Sequence, residues 1–302
     1  MNPQVIVDGL LNGALIGLGA VGVTLTYSIL RFANFAHGEF ITFGAYATML
    51  IAAGVSALVI GSGDGLGPFS ISLALILSVP LSMALTAGLA LALDSLLVAR
   101  LRGKAESISV VMASFGASMA IRAGIEFAFT SRPAYFSRDL QIAKPLAFGL
   151  RATPDQMALL IVAPLLLIGV HLLLTRTQIG RSMRAVSENP ALARVAGVDV
   201  EATIRLVWAL GGALAAASGV MLGLLVQIRP FMGFDLLLPL FAAAILGGIG
   251  SAPGAFLGAL IVGLGEAMTV QLVGAEWRAG VAFLVLIAVL LIRPSGIAGR
   301  PT

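Results

Sequence analysis

The chain has 302 residues, of which 59% are hydrophobic and only 11% charged. Soluble domains carry about 25% charged residues, so the composition excludes a soluble globular protein and leaves a bundle of helices, each needing about 20 apolar residues to cross a bilayer. The 18 basic against 14 acidic residues give a formal net charge of +4, and the chain has no cysteine, which excludes disulfides, thiolate metal sites and cysteine nucleophiles.

The N-terminus, Met1 to Leu11, has neither a basic region nor a small-residue cleavage site and reads as mature sequence rather than a signal peptide. Apolar runs bounded by polar or Gly/Pro breaks predict spans over 9–30, 38–54, 70–99, 107–129, 156–175, 205–226, 234–250, 254–273 and 278–292. The fold class is therefore an all-α membrane protein, a polytopic bundle of eight or nine transmembrane or re-entrant segments in a single domain over 1–302. Two spans are candidates for re-entrant segments: 38–54 is short and opens on His37-Gly38-Glu39, and 234–250 contains Pro239 and ends in Gly247-Gly248-Ile249-Gly250. Irregular backbone at membrane depth is tolerated where protein or a cavity covers it. The span 107–129 carries Arg122 and Glu126.

In the first span Gly9, Gly13 and Gly17 recur every four residues, as do Gly250, Gly254 and Gly258 late in the chain. Such faces let helix backbones approach closely, so helix packing is the expected role. Gly17 to Gly22 matches G-x-G-x-x-G but lies inside an apolar span with no preceding strand, so it is no nucleotide site. Between the first two spans, Asn34, His37, Gly38 and Glu39 form a polar block. It reads either as a cap and tight turn, with these groups satisfying each other and Glu39 complementing a helix dipole, or as part of a gate or pathway. Gly61-Ser62-Gly63-Asp64 resembles the G-x-G-D of intramembrane aspartyl proteases, but Asp8, Asp94, Asp139, Asp155, Asp199 and Asp235 are expected in loops or near span ends. That chemistry needs a second embedded carboxylate, so a glycine-rich turn is the better reading. Thr130 to Pro154, with Arg132, Arg138, Asp139 and Lys144, is a long polar loop that suits either plain solvation or a soluble partner.

Arg176 to Arg205 then interrupts the apolar sequence with five arginines, two glutamates and one aspartate. Placing it in the cytoplasm and alternating nine spans puts eleven of the 18 basic residues on that side and six on the other, which sets the C-terminus inside and the N-terminus outside. The basic excess thus reflects cytoplasmic loops rather than a nucleic-acid surface. Further on, Glu266 lies in an apolar run, where an ionisable residue lines a pathway or pairs structurally, with Gln271 as a nearby partner. Walker A, H-E-x-x-H and G-x-S-x-G motifs are absent from the sequence, so the chain is not expected to be an enzyme. A stand-alone carrier driven by protons through His37, Glu39 or Glu266 is a competing reading, and the scarcity of charge pairs within most spans counts against it. An intramembrane enzyme lacks a catalytic constellation.

Asn34-Phe35-Ala36-His37-Gly38-Glu39 resembles the N-F-A-H-G-[DE] block of permease subunits of branched-chain amino acid ABC importers, the Liv H-type family. Arg184 to Pro190 followed by Ala196-Gly197-Val198 resembles that family's cytoplasmic coupling segment, Ala244 to Gly258 its glycine-rich late spans, and Arg293-Pro294-Ser295-Gly296-Ile297 its R-P-x-G tail. The resemblance runs through nearly the whole chain in order. The wider E-A-A…G pattern of ABC permeases is degenerate, only Ala193 and Gly197 keeping an A-x-x-x-G fragment.

The resemblance implies a multi-pass protein of the bacterial inner membrane. Its expected partners are two ATP-binding subunits, a second permease subunit (a different chain), a periplasmic substrate-binding protein and membrane lipid, with no nucleic acid. No cofactor is expected on this chain, ATP and Mg being bound by the partner subunits. Cargo would be branched-chain or other aliphatic amino acids, or amides, urea or other small solutes. A short helix near Ser187–Ala196 would dock on the ATPase, involving Arg184, Glu188, Asn189, Pro190, Arg194 and Gly197. Asn189 is placed to cap it, Pro190 to open it and Gly197 to stop it.

Overall fold

A computed structural model of the chain describes residues 3–59, 63, 65–102, 106–137, 141–145, 149–293 and 296–298. Of the sequence motifs, Gly61, Ser62, Asp64, Lys104, Arg138, Asp139, Pro294, Ser295 and Arg300 lie outside the described residues.

The elements in chain order are α1 (Gln4–Leu30), α2 (Ala36–Leu58), α3 (Leu73–Leu101), α4 (Ser107–Phe129), α5 (Pro154–Arg176), α6 (Gln178–Glu188), α7 (Pro190–Val195), α8 (Val200–Leu225), α9 (Met232–Gly247), α10 (Ala252–Leu272) and α11 (Arg278–Ile292). Among the described residues, eight helices are long and apolar enough to cross a membrane, α11 when taken with the 3-10 turn Ala275–Trp277 before it, and α9, with 16 residues, is a shorter ninth. The predicted spans fall on these helices with ends shifted by a few residues. An α-helix needs only local hydrogen bonds, so a bundle satisfies its backbone in hydrocarbon. The described strand structure is one ladder, β1 (Lys144–Pro145) with β2 (Arg151–Ala152), antiparallel with Lys144 opposite Ala152.

The core is built on α1 and α8, whose faces are lined by Gly, Ala and small aliphatic residues. Against α1 lies α10, running antiparallel: Gly9, Gly13 and Gly17 meet Leu264, Leu260 and Phe256, and a methyl group at Gly13 would sit 2.7 Å from the Leu260 Cα. Gly254 and Gly258 press on Gly247 and Ala243 of α9. Gly250 departs from the expected helix stripe. It lies in the turn between α9 and α10 at φ +91°, donating its N–H to Thr24 Oγ1 at 2.9 Å, because the α9 helix stops at Gly247. The outer helices expose apolar stripes at helical spacing, including Leu77, Leu81 and Leu85 on α3 and Ile161, Leu165, Ile168 and Leu172 on α5, the pattern of a lipid-facing surface.

The helix ends sort into two faces. On one, Gln4 donates to the Arg151 carbonyl at 2.8 Å, Ser70 N–H donates to Asp155 at 3.0 Å, and Ala134 bridges Ile228. On the other, Arg31 donates to the Ser187 carbonyl at 3.3 Å and Arg102 pairs with Glu201 at 3.1 Å. Ile297 N–H also bonds Leu246 O, next to the α9–α10 turn that reaches Thr24 of α1. We refer to these as the loop face and the hairpin face. The described start of the chain, with Gln4, lies at the loop face, and its described end lies at the hairpin face with α6 and α7.

One further departure concerns Asp94. It was expected near a span end, but it opens a π-helical turn, Asp94–Val98, within α3 and is buried against Arg102 at 2.5 Å. The helix continues past Asp94 because no proline or glycine stops it, and Arg102, two turns on, reaches back to neutralise it.

Candidate functional site

Two constellations gather most of the site residues expected from the sequence. The first lies inside the bundle. Arg31 ends α1 in the left-handed region at φ 55°, and the chain then turns back. His37, at the start of α2, donates from Nε2 to the Gly19 carbonyl at 3.2 Å. The His37 ring also lies against Gly22, so residues 31–36 have brought the chain back along the last turns of α1. This unwound stretch is supported by α4: Phe35 N–H donates to Ser114 Oγ at 3.2 Å, while Asn34 Oδ1 accepts from Ala36 N–H at 3.1 Å. A second helix start meets the first. Gly233, at the beginning of α9, is packed against the backbone of Gly38 and donates to Thr42 Oγ1 at 3.1 Å. Side chains at either glycine would collide with the facing backbone.

Glu39 sits in the first turn of α2, fully buried. Its Oε1 accepts from Arg122 Nη2 at 2.5 Å, from Arg122 Nε at 3.0 Å and from Ser118 Oγ at 3.3 Å. The Arg122 guanidinium is in turn covered by Phe234 and Phe231, 4.2 Å and 4.9 Å from the ring centroids, a cation–π arrangement. Phe35 stacks edge-on to Phe115 at 5.8 Å and lies 6.0 Å from Phe241. The result is an aromatic-lined face between α4 and α9 with one ion pair beneath it. Asn34, His37 and Glu39 do not satisfy one another, as the sequence reading allowed: each has its own partner, on the backbone of α2, α1 and the side chain of Arg122. The partnership of Glu39 with Arg122 was not legible, since 83 residues separate them. Glu266 likewise pairs with Arg278 at 2.8 Å, not with Gln271. Buried charge pairs are thus more common than the sequence suggested.

The second constellation is the α6–α7 hairpin. Thr177 caps α6 through Gly180 N–H, and Gly180 lies against the Leu174 backbone, which makes a tight corner after α5. Arg184 donates to the Leu174 carbonyl, complementing the C-terminal end of α5. It therefore faces its own chain. Gly180, Met183 and Val186 turn inward. The short helix expected near Ser187–Ala196 is α7, which starts at Pro190 and follows a separate α6 ending at Glu188; Asn189 adopts an extended conformation and caps α7 by accepting from Ala191 and Leu192 N–H, both at 3.0 Å. At the other end Gly197, at φ +85°, closes a Schellman motif: Gly197 N–H bonds Arg194 O and Val198 N–H bonds Ala193 O. Between these stops only Ala193 is buried, while Leu192 and Val195 are 65% and 87% exposed. Those two apolar residues were missed by sequence reasoning, although their three-residue spacing around a buried alanine is visible. Arg194 approaches Glu201 at 3.9 Å; Glu201 pairs with Arg102, and Arg102 with Asp94. A cavity of about 310 Å³ lies beneath, walled by Leu30, Val98, Val186 and Pro190 among others. The hairpin is thereby tied by charge to α3 and α8. Among the described residues no cluster of three or more His, Asp or Glu could hold a metal ion.

Comparison with known proteins gives these features a context. The sequence profile of a family described as "Branched-chain amino acid transport system / permease component" matches residues 5–290. The chain is 32% identical to the high-affinity branched-chain amino acid transport system permease protein BraD of Pseudomonas aeruginosa, over 99% of this chain and 96% of that protein. It is 30% identical to the corresponding permease protein LivH of Escherichia coli K12, with the same coverage. The probable LivH of Methanocaldococcus jannaschii is also 30% identical, over 99% of this chain and 93% of that protein. Among solved structures, PsaBC from Streptococcus pneumoniae in complex with Fab matches at 12% identity and a TM-score of 0.47, over 95% of this chain and 91% of that one, too low for any argument.

Proposed function

This chain belongs to the family of permease components of branched-chain amino acid transport systems, and from that premise we propose that it is the membrane subunit of an ABC importer that passes branched-chain or other aliphatic amino acids into the cell. The observation that carries the proposal is the match of the family profile to residues 5–290, nearly the whole chain. It favours an importer subunit over a stand-alone proton-coupled carrier.

In this reading the chain holds no nucleotide. Two ATP-binding subunits supply ATP and Mg, a second, different permease chain completes the pathway, and a periplasmic binding protein delivers cargo. The protein sits in a bacterial inner membrane with the hairpin face and the C-terminus in the cytoplasm. The helix α7 is the contact for the ATPase. Its exposed Leu192 and Val195 form an apolar knob suited to a groove on a soluble partner, and the capped, stopped helix presents them rigidly. Closure of the ATPase dimer would push on α7, and the chain of charges from Arg194 through Glu201 and Arg102 to Asp94 would carry that movement to α3 and α8. The aromatic face over Arg122, beside the two unwound stretches, is the natural candidate for the pathway wall, since irregular backbone at depth belongs beside a cavity.

Reconstitution in liposomes with the ATP-binding subunits, the second permease and the binding protein tests this reading. ATP-dependent uptake of L-leucine is expected. Changing Glu188, Arg194 and Gly197 together should leave ATP hydrolysis running without uptake. Normal coupled transport by that triple variant would remove the hairpin from the mechanism.

A further inference from the structure

At the loop face, a cavity of about 340 Å³ opens between the end of α8, the unwound stretch before α9, and the facing ends of α10 and α11. That volume sits at the small end of the roughly 300–1,000 Å³ range of small-molecule sites. Its wall carries both signs of charge: Arg278 pairs with Glu266 at 2.8 Å, and Arg229 pairs with Asp235 at 2.9 Å. The remaining wall includes Met232, Leu236 and Pro239, all apolar and buried.

Glu266 is the informative group. It is 1% exposed, and only its Oε2 is bonded, to Arg278 Nε; Oε1 is buried with no hydrogen-bond partner among the described residues. A buried unsatisfied carboxylate oxygen costs about 1–3 kcal/mol or more; Glu39 Oε2 is in the same state, but Glu266 also lines this cavity. Arg278 uses one of its five N–H donors on Glu266 and is itself half exposed. The side chain of Glu266, the guanidinium groups of Arg278 and Arg229, the carboxylates of Asp235 and Glu276 and an apolar wall therefore border one small space.

We propose that this cavity binds a small zwitterion with an aliphatic side chain, an α-amino acid. Its ammonium meets Glu266 Oε1, its carboxylate meets the guanidinium of Arg278 or Arg229, and its side chain lies against Met232, Leu236 and Pro239. The choice of an aliphatic amino acid rests on the transport reading above; the existence of the site rests on the cavity and its charges. The site lies on the opposite side of the bundle from the α6–α7 hairpin, so it would receive cargo before the hairpin is engaged.

The absence of native cysteine permits a direct test. Ala279→Cys, at the cavity wall, is labelled with a methanethiosulfonate reagent in the full complex, in nanodiscs that leave both faces accessible. Saturating L-leucine should slow labelling about tenfold by occupancy. 4-Methylpentanoate, which lacks the ammonium, and 3-methylbutylamine, which lacks the carboxylate, should each give little protection. Adding Glu266→Gln should abolish protection by L-leucine; if that variant does not assemble, Arg229→Gln takes its place and should weaken protection. No protection by L-leucine overturns the proposal, as does equal protection by either single-charge analogue. Protection unchanged by the second substitution overturns it too. Uptake of L-leucine by the unaltered complex is measured in parallel: uptake without protection removes this site but leaves the transport reading, whereas protection without uptake does the reverse.

Discussion

Single residues decide whether this bundle can close around its polar interior. The Glu39–Arg122 pair is the clearest case, joining α2 to α4 at a point where Glu39 has no contact with solvent. Removing one member of a buried pair strands the other, at a cost of about 3–5 kcal/mol, whereas replacing both by neutral groups of similar shape is far milder. Arg122→Met should therefore lower the yield and thermal stability of the purified protein sharply, and adding Glu39→Gln should recover much of the loss. If the double variant is no more stable than Arg122→Met, as read by thermal unfolding in detergent, the two charges are not coupled. Arg122 also lies under Phe231 and Phe234, so transport by the double variant separates stability from any pathway role of the charge. Gly22 makes a second case. A methyl group there would fall 2.8 Å from the His37 ring. Overpacking of this kind costs about 1–3 kcal/mol, so Gly22→Ala should lower the melting temperature, and an unchanged melting temperature would mean that α1 and α2 can separate without cost.

At the scale of elements, the sequence and the structure agree where local rules govern and part where tertiary partners do. The predicted spans were legible because apolar length is enforced by the bilayer everywhere along the chain. The short helix near Pro190 was legible in its ends, Asn189 and Gly197, because capping is local chemistry. The separate helix α6 before that cap was not specified by the sequence reading. The ion partners of Glu39, Glu266 and Asp94 were illegible for a different reason: nothing in the local pattern says which cation the fold will bring near. Gly250 was misplaced because four-residue spacing continued into a turn, and spacing alone does not report where a helix ends. The exposed pair on α7 yields a prediction at this scale. Leu192→Glu with Val195→Glu leaves the buried Ala193 and both caps untouched, and surface changes of this sort usually alter stability by about 0.5 kcal/mol or less. The variant should fold and insert normally, yet lose ATP-dependent uptake and co-purification of the ATP-binding subunits. Retained co-purification would place the contact elsewhere on the hairpin face.

For the whole molecule, the question is how an odd number of crossings can be built when α9 is too short and α11 reaches 18 residues only with the 3-10 turn Ala275–Trp277 before it. α9 has 16 residues, about 24 Å at 1.5 Å per residue, less than the ~30 Å hydrocarbon core. It starts inside the bundle at Gly233, beside Gly38, and the unwound residues before it complete the passage from the loop face, where Ile228 bridges Ala134. Its other end turns at Gly248–Ser251 against Thr24 near the hairpin end of α1. The crossing is therefore part helix and part extended chain, and it leaves Ala298 on the same face as α7 and opposite to Tyr135. Had α9 folded back to the loop face, α10 and α11 would be inverted, and Ala298 would lie with Tyr135 instead. The split of eleven basic residues against six expected from the sequence makes the hairpin face the proposed cytoplasmic side. Single cysteines at Tyr135, Leu192 and Ala298, in a chain without native cysteine, distinguish these arrangements. A membrane-impermeant maleimide should label Tyr135→Cys in intact spheroplasts, and Leu192→Cys and Ala298→Cys only after permeabilisation. Labelling of Ala298→Cys together with Tyr135→Cys would mean eight crossings, and labelling of Leu192→Cys alone in intact spheroplasts would invert the orientation on which the ATPase contact depends.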